Sequence, residues 1–169
     1  MAVIYSLKVN AFASSGLHFA TFHYVSVEMT GVLKKLLFLQ IKYYKMLHIG
    51  LSHTSETVVN DSNTARTYGS GGLDVFATPA MIGLMENAAM TAVENDLPEG
   101  SSTVGAHIST SHVKPSKLGA TVKATAVLEE IEGRKLTFRV SACDDDGIIG
   151  EGVHVRYIVD IQKFMSKIK

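Results

Sequence analysis

The residues that most constrain this fold run from Thr78 to Val93, TPAMIGLMENAAMTAV. Thr78 is a good helix N-cap, and Pro79 suits the first helical position because its missing N–H costs nothing there. Beyond them Ala80, Met81, Ile82, Leu84, Met85, Ala88, Ala89, Met90 and Val93 predict one helix that is apolar nearly all round, ending near Asn95 to Pro98. A helix of that kind must be enclosed by other elements. After Gly100 the chain supplies only strand-like pattern, so a sheet must do the enclosing.

The surrounding elements fit that demand. Leu51 to Val59 reads as a first strand, and Asn60 to Asp74 as a connection ending in the flexible run Gly69-Ser70-Gly71-Gly72. Thr103 to Val113 is the first strand after the helix, stopped by Pro115. Ala120 to Ile131 meets Arg134 to Cys143 across Glu132-Gly133, a hairpin turn. Asp145-Asp146-Gly147 marks a second turn, and Ile148 to Phe164 a long last strand. Strand, helix, then antiparallel meander is an α+β order, and it predicts a hotdog fold: an antiparallel sheet wrapped around one long central helix.

Residues 1–45 are of another character. They hold five lysines against Glu28, a charge of +4, whereas the remaining 124 residues carry −4. This first segment shows no sustained period, and it reads as a non-domain extension with Met46 as the domain start and 46–169 as the domain. Its longest uncharged stretch, Val9 to Val27, contains Asn10, Ser14, Ser15, His18, His23 and Ser26 and is too polar for a membrane span. Val32 to Tyr44 could form a short basic amphipathic helix. An acidic domain without basic clusters is a poor nucleic-acid binder. Cys143 is the sole cysteine, so the fold rests on packing without an internal disulfide, which suits a reducing cytoplasm.

Glu86 is the informative oddity. Its helical neighbours at three and four residues are Ile82, Gly83, Ala89 and Met90. A carboxylate in apolar surroundings needs a partner, and removal from water makes a carboxylate a better base. A solvent-facing stripe shared with Asn87 is the plainer alternative. Gly83 costs the helix about 1 kcal/mol relative to alanine, which close approach by a ligand or another backbone would explain. Thr78 lies eight residues before Glu86, about 12 Å of helical rise. A helix N-terminus there could also face an oxyanion. His112 ends the strand that follows the helix. His107 and His154 are its rivals, but the spacings lack the one-turn or alternate-residue pairing of metal ligands, and no metal is expected.

These residues resemble a known family. Val75-Phe76-Ala77-Thr78-Pro79-Ala80-Met81-Ile82-Gly83-Leu84-Met85-Glu86 resembles the helix entry of the fluoroacetyl-CoA thioesterase-like branch of the hotdog superfamily. His112-x-x-Pro115-x-x-x-Gly119-x-x-Val122-x-Ala124-x-Ala126 resembles its strand and turn, and Gly150-x-Gly152-x-His154-x-Arg156 its last strand. The resemblance covers nearly all of Met46 to Phe164. It implies an acyl-CoA thioesterase acting on a small acyl group, with Thr78, Glu86 and His112 catalytic and Gly105 and Arg156 touching the acyl-CoA. It implies no cofactor beyond the coenzyme A of the substrate, and a homodimer or dimer of dimers with sheets joined edge to edge and sites at the subunit interface. Two departures, a Gly69 to Asp74 stretch without an aromatic and Pro79 in place of glycine, leave fluorinated substrates open. A hotdog hydratase or dehydratase and a non-catalytic acyl-CoA sensor are the competing classes.

Overall fold

The computed structural model describes Gly31 and residues 46–168. The uncharged stretch Val9 to Val27 and the candidate basic helix Val32 to Tyr44 lie outside the described residues. Five strands form one antiparallel sheet: β1 (Ser52–Val58), β2 (Ser101–Thr110), β3 (Thr121–Glu132), β4 (Lys135–Asp144) and β5 (Gly147–Asp160). Their spatial order is β1-β3-β4-β5-β2, so β1 and β2 are the edges. The long helix α2 (Thr78–Glu94) lies mainly across β1 and β3.

Alternation builds the core. On β3 Val122, Ala124, Ala126 and Leu128 are buried, and on β4 Leu136, Phe138, Val140 and Ala142, each set spaced by two so that one face of the sheet is apolar. The alanines keep that face shallow, and Ala88, Ala89 and Ala92 on α2 belong to the same cluster, so helix and sheet can lie close together. Met81 and Met85, both fully buried, fill what remains, each stabilising by about 1.5–3 kcal/mol. The hairpin between β3 and β4 turns at Gly133, where φ is +60°, a conformation glycine adopts without steric cost.

Four features differ from the sequence-based expectation. The helix is enclosed on one side only: Gly83 and Asn87 are exposed and Glu86 is half-buried, because a five-stranded sheet with two free edges does not close around it. Ala77, and not Thr78, is the N-cap residue, and it makes no side-chain capping bond; the Thr78 hydroxyl is engaged elsewhere. The connection before α2 contains a short helix, α1 (Ala65–Tyr68), whose Thr64 side chain accepts from the Thr67 N–H. The last strand stops at Asp160, whose carboxylate accepts from Lys163 N–H and starts α3 (Ile161–Met165).

Candidate active site

Thr78 opens α2 and points its hydroxyl at the segment that follows β2. There Thr78 Oγ1 and His112 Nδ1 are 2.8 Å apart. His112 sits two residues beyond the end of β2, on a segment fixed by two bonds to β5: Ser111 N–H to the Glu151 carbonyl and Val113 N–H to the Ile149 carbonyl, 2.9 and 2.8 Å. Burial pushes the His112 imidazole below its ordinary value, which favours the neutral ring. Its other nitrogen, Nε2, is buried and has no hydrogen-bond partner among the described residues. An orphaned ring nitrogen is expensive, so this one calls for a partner beyond the described residues. A cleft of about 260 Å3 opens beside the pair, with Phe76, Val75, Val113 and Pro115 among its walls and Ala65 and Ser70 on the side of the 65–72 segment.

Glu86 belongs to a second cluster. Its carboxylate Oε1 is 3.8 Å from His154 Nε2, and a Cβ added at Gly105 would lie 2.8 Å from the same oxygen. Only glycine at 105 lets the carboxylate approach β2 this closely. The β2–β5 register shifts between Gly105 and His107, and such a bulge re-aims the strand at this point. His154 is fully buried and Arg156 is 6% exposed. Arg156 Nε donates to Thr103 Oγ1 and Nη2 to the Thr103 carbonyl, both at 2.9 Å, and Nη1 reaches the Glu86 carbonyl at 3.5 Å.

The protonation of His154 follows from its partners. Nδ1 is 2.8 Å from the His107 carbonyl, which can only accept, so Nδ1 carries the hydrogen. Nε2 is 3.1 Å from Arg156 Nη1, which can only donate, so Nε2 presents its lone pair. Burial, against the His107 carbonyl bond and aided by the Arg156 charge, holds the ring below the ordinary histidine value. His154 is therefore a neutral acceptor that fixes the guanidinium beside Glu86. Sequence reasoning held it only as a rival to His112. Its signal was there, since it alternates with Arg156 along one strand and both side chains must share a face.

The five residues singled out from sequence thus fall into two groups. Thr78 and His112 form one; Glu86, Gly105 and Arg156 form the other, with His154 added. No hydrogen bond joins Glu86 to Thr78 or His112 among the described residues, and along the helix Thr78 and Glu86 are separated by about 12 Å of rise. Arg156 is a buried strand-linking cation and not half of a surface ion pair. No group of three or more histidine, cysteine, aspartate or glutamate side chains with metal-binding geometry occurs among the described residues. No helix among them is long and apolar enough to cross a membrane.

The profile of the fluoroacetyl-CoA-specific thioesterase family matches residues 59–162, which include every residue of both clusters. A fluoroacetyl-CoA thioesterase of Streptantibioticus cattleyicolor is 41% identical over 96 residues, 57% of this chain and 69% of that protein. A crystal structure of a fluoroacetyl-CoA thioesterase superposes with a TM-score of 0.68 at 36% identity, covering 72% of this chain and 95% of the other. A thioesterase superfamily member from Thermus thermophilus superposes with a TM-score of 0.67 at 28% identity, covering 72% and 90%.

Proposed function

Because this chain belongs to the fluoroacetyl-CoA-specific thioesterase family, and is thereby a hotdog-fold enzyme that hydrolyses acyl-CoA thioesters, we propose that Thr78 and His112 form its nucleophilic pair and that Glu86 completes the site. The observation that carries this reading is the 2.8 Å contact between Thr78 Oγ1 and His112 Nδ1. A neutral imidazole at that distance can take the hydroxyl proton as the oxygen attacks the thioester carbonyl. The carbon–sulfur bond then breaks, and the CoA thiolate leaves with the proton that His112 holds. Water attacks the acyl-threonine ester, with the Glu86 carboxylate as base, and returns Thr78 and the free acid. The N–H of Gly105 and the guanidinium of Arg156 stand on the Glu86 side, suited to the carbonyl oxygen and to the thioester end of the CoA. The reaction requires no cofactor, since coenzyme A arrives as part of the substrate.

Glu86 acts, in this proposal, on the Thr78–His112 pair of a second copy. Three observations among the described residues favour a homodimer, as such or within a dimer of dimers: the two groups are separate within one chain, Nε2 of His112 has no partner, and β2 is a sheet edge exposing Gly105, Ala106 and His107 beside Glu86. A reducing cytoplasm remains our proposed setting, Cys143 being free.

The test is a quenched-reaction mass measurement on Glu86→Gln. We expect thiol release to fall by orders of magnitude after one turnover, with an acyl group retained on Thr78. Turnover close to wild type would remove Glu86 from the chemistry. Loss of turnover with no acylated Thr78 would instead make Glu86 the attacking group.

A further inference from the structure

The pairing of Thr78 with His112 depends on where two separate segments meet, and both are tied to one residue that sequence reasoning did not select. Ser116 is 1% exposed and lies four residues beyond His112. Its carbonyl accepts from Phe76 N–H at 2.9 Å, two residues before Thr78. Next to that bond Val75 and Lys117 form an isolated antiparallel bridge. The Ser116 hydroxyl donates to Asp144 Oδ2 at 2.7 Å. Asp144 ends β4, and its side chain is 5% exposed. Its other oxygen, Oδ1, accepts from Asp146 N–H at 3.0 Å and lies 3.5 Å from Lys114 Nζ. One carboxylate therefore grips the 112–117 segment at Lys114 and at Ser116, and through Ser116 reaches the entry to α2.

We infer that Asp144, acting through Ser116, is a positioning residue for the Thr78–His112 pair. The inference rests on the proposed role of that pair. Burial alone would push Asp144 toward protonation, but the Ser116 hydroxyl, the Asp146 amide and the Lys114 ammonium outweigh it and hold the carboxyl below its usual range. An ionised, buried carboxylate with donors from three places is a directional anchor. A loop held only by apolar contact could slide without much penalty. The Thr78 hydroxyl is exposed and its bond to His112 is a single contact, so nothing at the pair itself restores the distance once the loop shifts.

The test uses the full chain and steady-state thiol release from an acyl-CoA, well below the melting temperature. Asp144→Ala and Ser116→Ala should each lower kcat about tenfold or more, since small misplacements of reacting groups are costly, while KM changes little. The double variant should lose no more than the worse single one. Asp144→Asn should recover most of the rate, because its amide can donate to the serine oxygen while its carbonyl keeps the Asp146 N–H. The nitrogen NMR shift of His112 Nδ1 should move in the alanine variants and return in Asn. Folded Ser116→Ala or Asp144→Asn with wild-type kcat for the former and no rescue by the latter would overturn the inference. If His112→Ala and Thr78→Ala themselves left thiol release unchanged, the functional reading would fail first; if they abolished it while Ser116→Ala kept full kcat, only the positioning role would fail.

Discussion

The two halves of the site are built by different means. Thr78 and His112 sit on a helix start and a post-strand segment, half open to a cleft, and hold each other by one bond. Glu86 faces strand-borne groups, Gly105, His154 and Arg156, of which the last two are buried and fixed by the ladder between β2 and β5. The first half has an unpaired nitrogen, His112 Nε2, among the described residues. The second is the more rigid, since the Arg156 guanidinium is held by Thr103 and His154, with Nη1 3.5 Å from the Glu86 main-chain carbonyl. A nucleophile that must form and release a covalent bond tolerates loops; a carboxylate that must sit next to a cation without being captured by it needs a frame. His154 supplies that frame by taking one guanidinium N–H for itself.

The sharpest way to break this comparison is to separate the halves genetically. His112→Ala and Glu86→Gln chains should each be nearly inactive. If the halves meet across two copies, co-refolding them in equal amounts should restore about a quarter of the wild-type rate, because half of randomly formed dimers are mixed and each of those has one intact site of two. If both halves serve one chain alone, the mixture stays as inactive as its components. Thiol release before and after co-refolding distinguishes the two outcomes.

A smaller effect probes the rigid half by itself. Gly105→Ala puts a methyl group 2.8 Å from Glu86 Oε1 and 3.3 Å from His154 Cε1. The carboxylate is the end of a flexible side chain, so it should swing away while the fold holds. We expect kcat to fall about 10–100-fold, since a misplacement near 1 Å can cost that much, with a melting temperature close to wild type. A variant with wild-type kcat would show that the Glu86–Gly105 approach has no part in the reaction.

The same contrast explains what sequence could and could not reveal. The helix, the meander and its turns were legible because apolar spacing and Gly133 are local signals. The family string named Thr78, Glu86 and His112, and they stand at the start of α2, within α2 and just beyond β2. Enclosure of the helix was overestimated, because apolar residues on its outer stripe, such as Ile82 and Met90, look the same whether a sheet or a second copy covers them. Thr78 looked like a cap because threonine before proline satisfies that pattern; only the fold reveals His112 as its partner. Asp144 fell between the strand ending at Cys143 and the Asp145-Asp146-Gly147 turn, and nothing in Asp144-Asp145-Asp146 marks which carboxylate turns inward to Ser116.

The smallest expected effect concerns His154 and the sign of its linkage to pH. Its ring is held below the ordinary value of 6.5, chiefly by burial, with Arg156 on β5, His107 on β2 and Glu86 on α2 facing it. The unfolded chain then binds a proton that the folded chain refuses, so stability rises with pH. The contribution is complete above about 6.5 and is lost as pH falls through the lower folded value. His112, shifted the same way by burial, adds to the loss. His154→Gln keeps an acceptor for Arg156 but cannot titrate, so its melting temperature should fall less steeply on acidification than that of wild type, by a few degrees. A wild-type curve no steeper than the variant's would mean that protonated His154 gains from Glu86 what it loses to Arg156. The rigid half would then be a switchable ion pair, and the contrast between the two halves would fail.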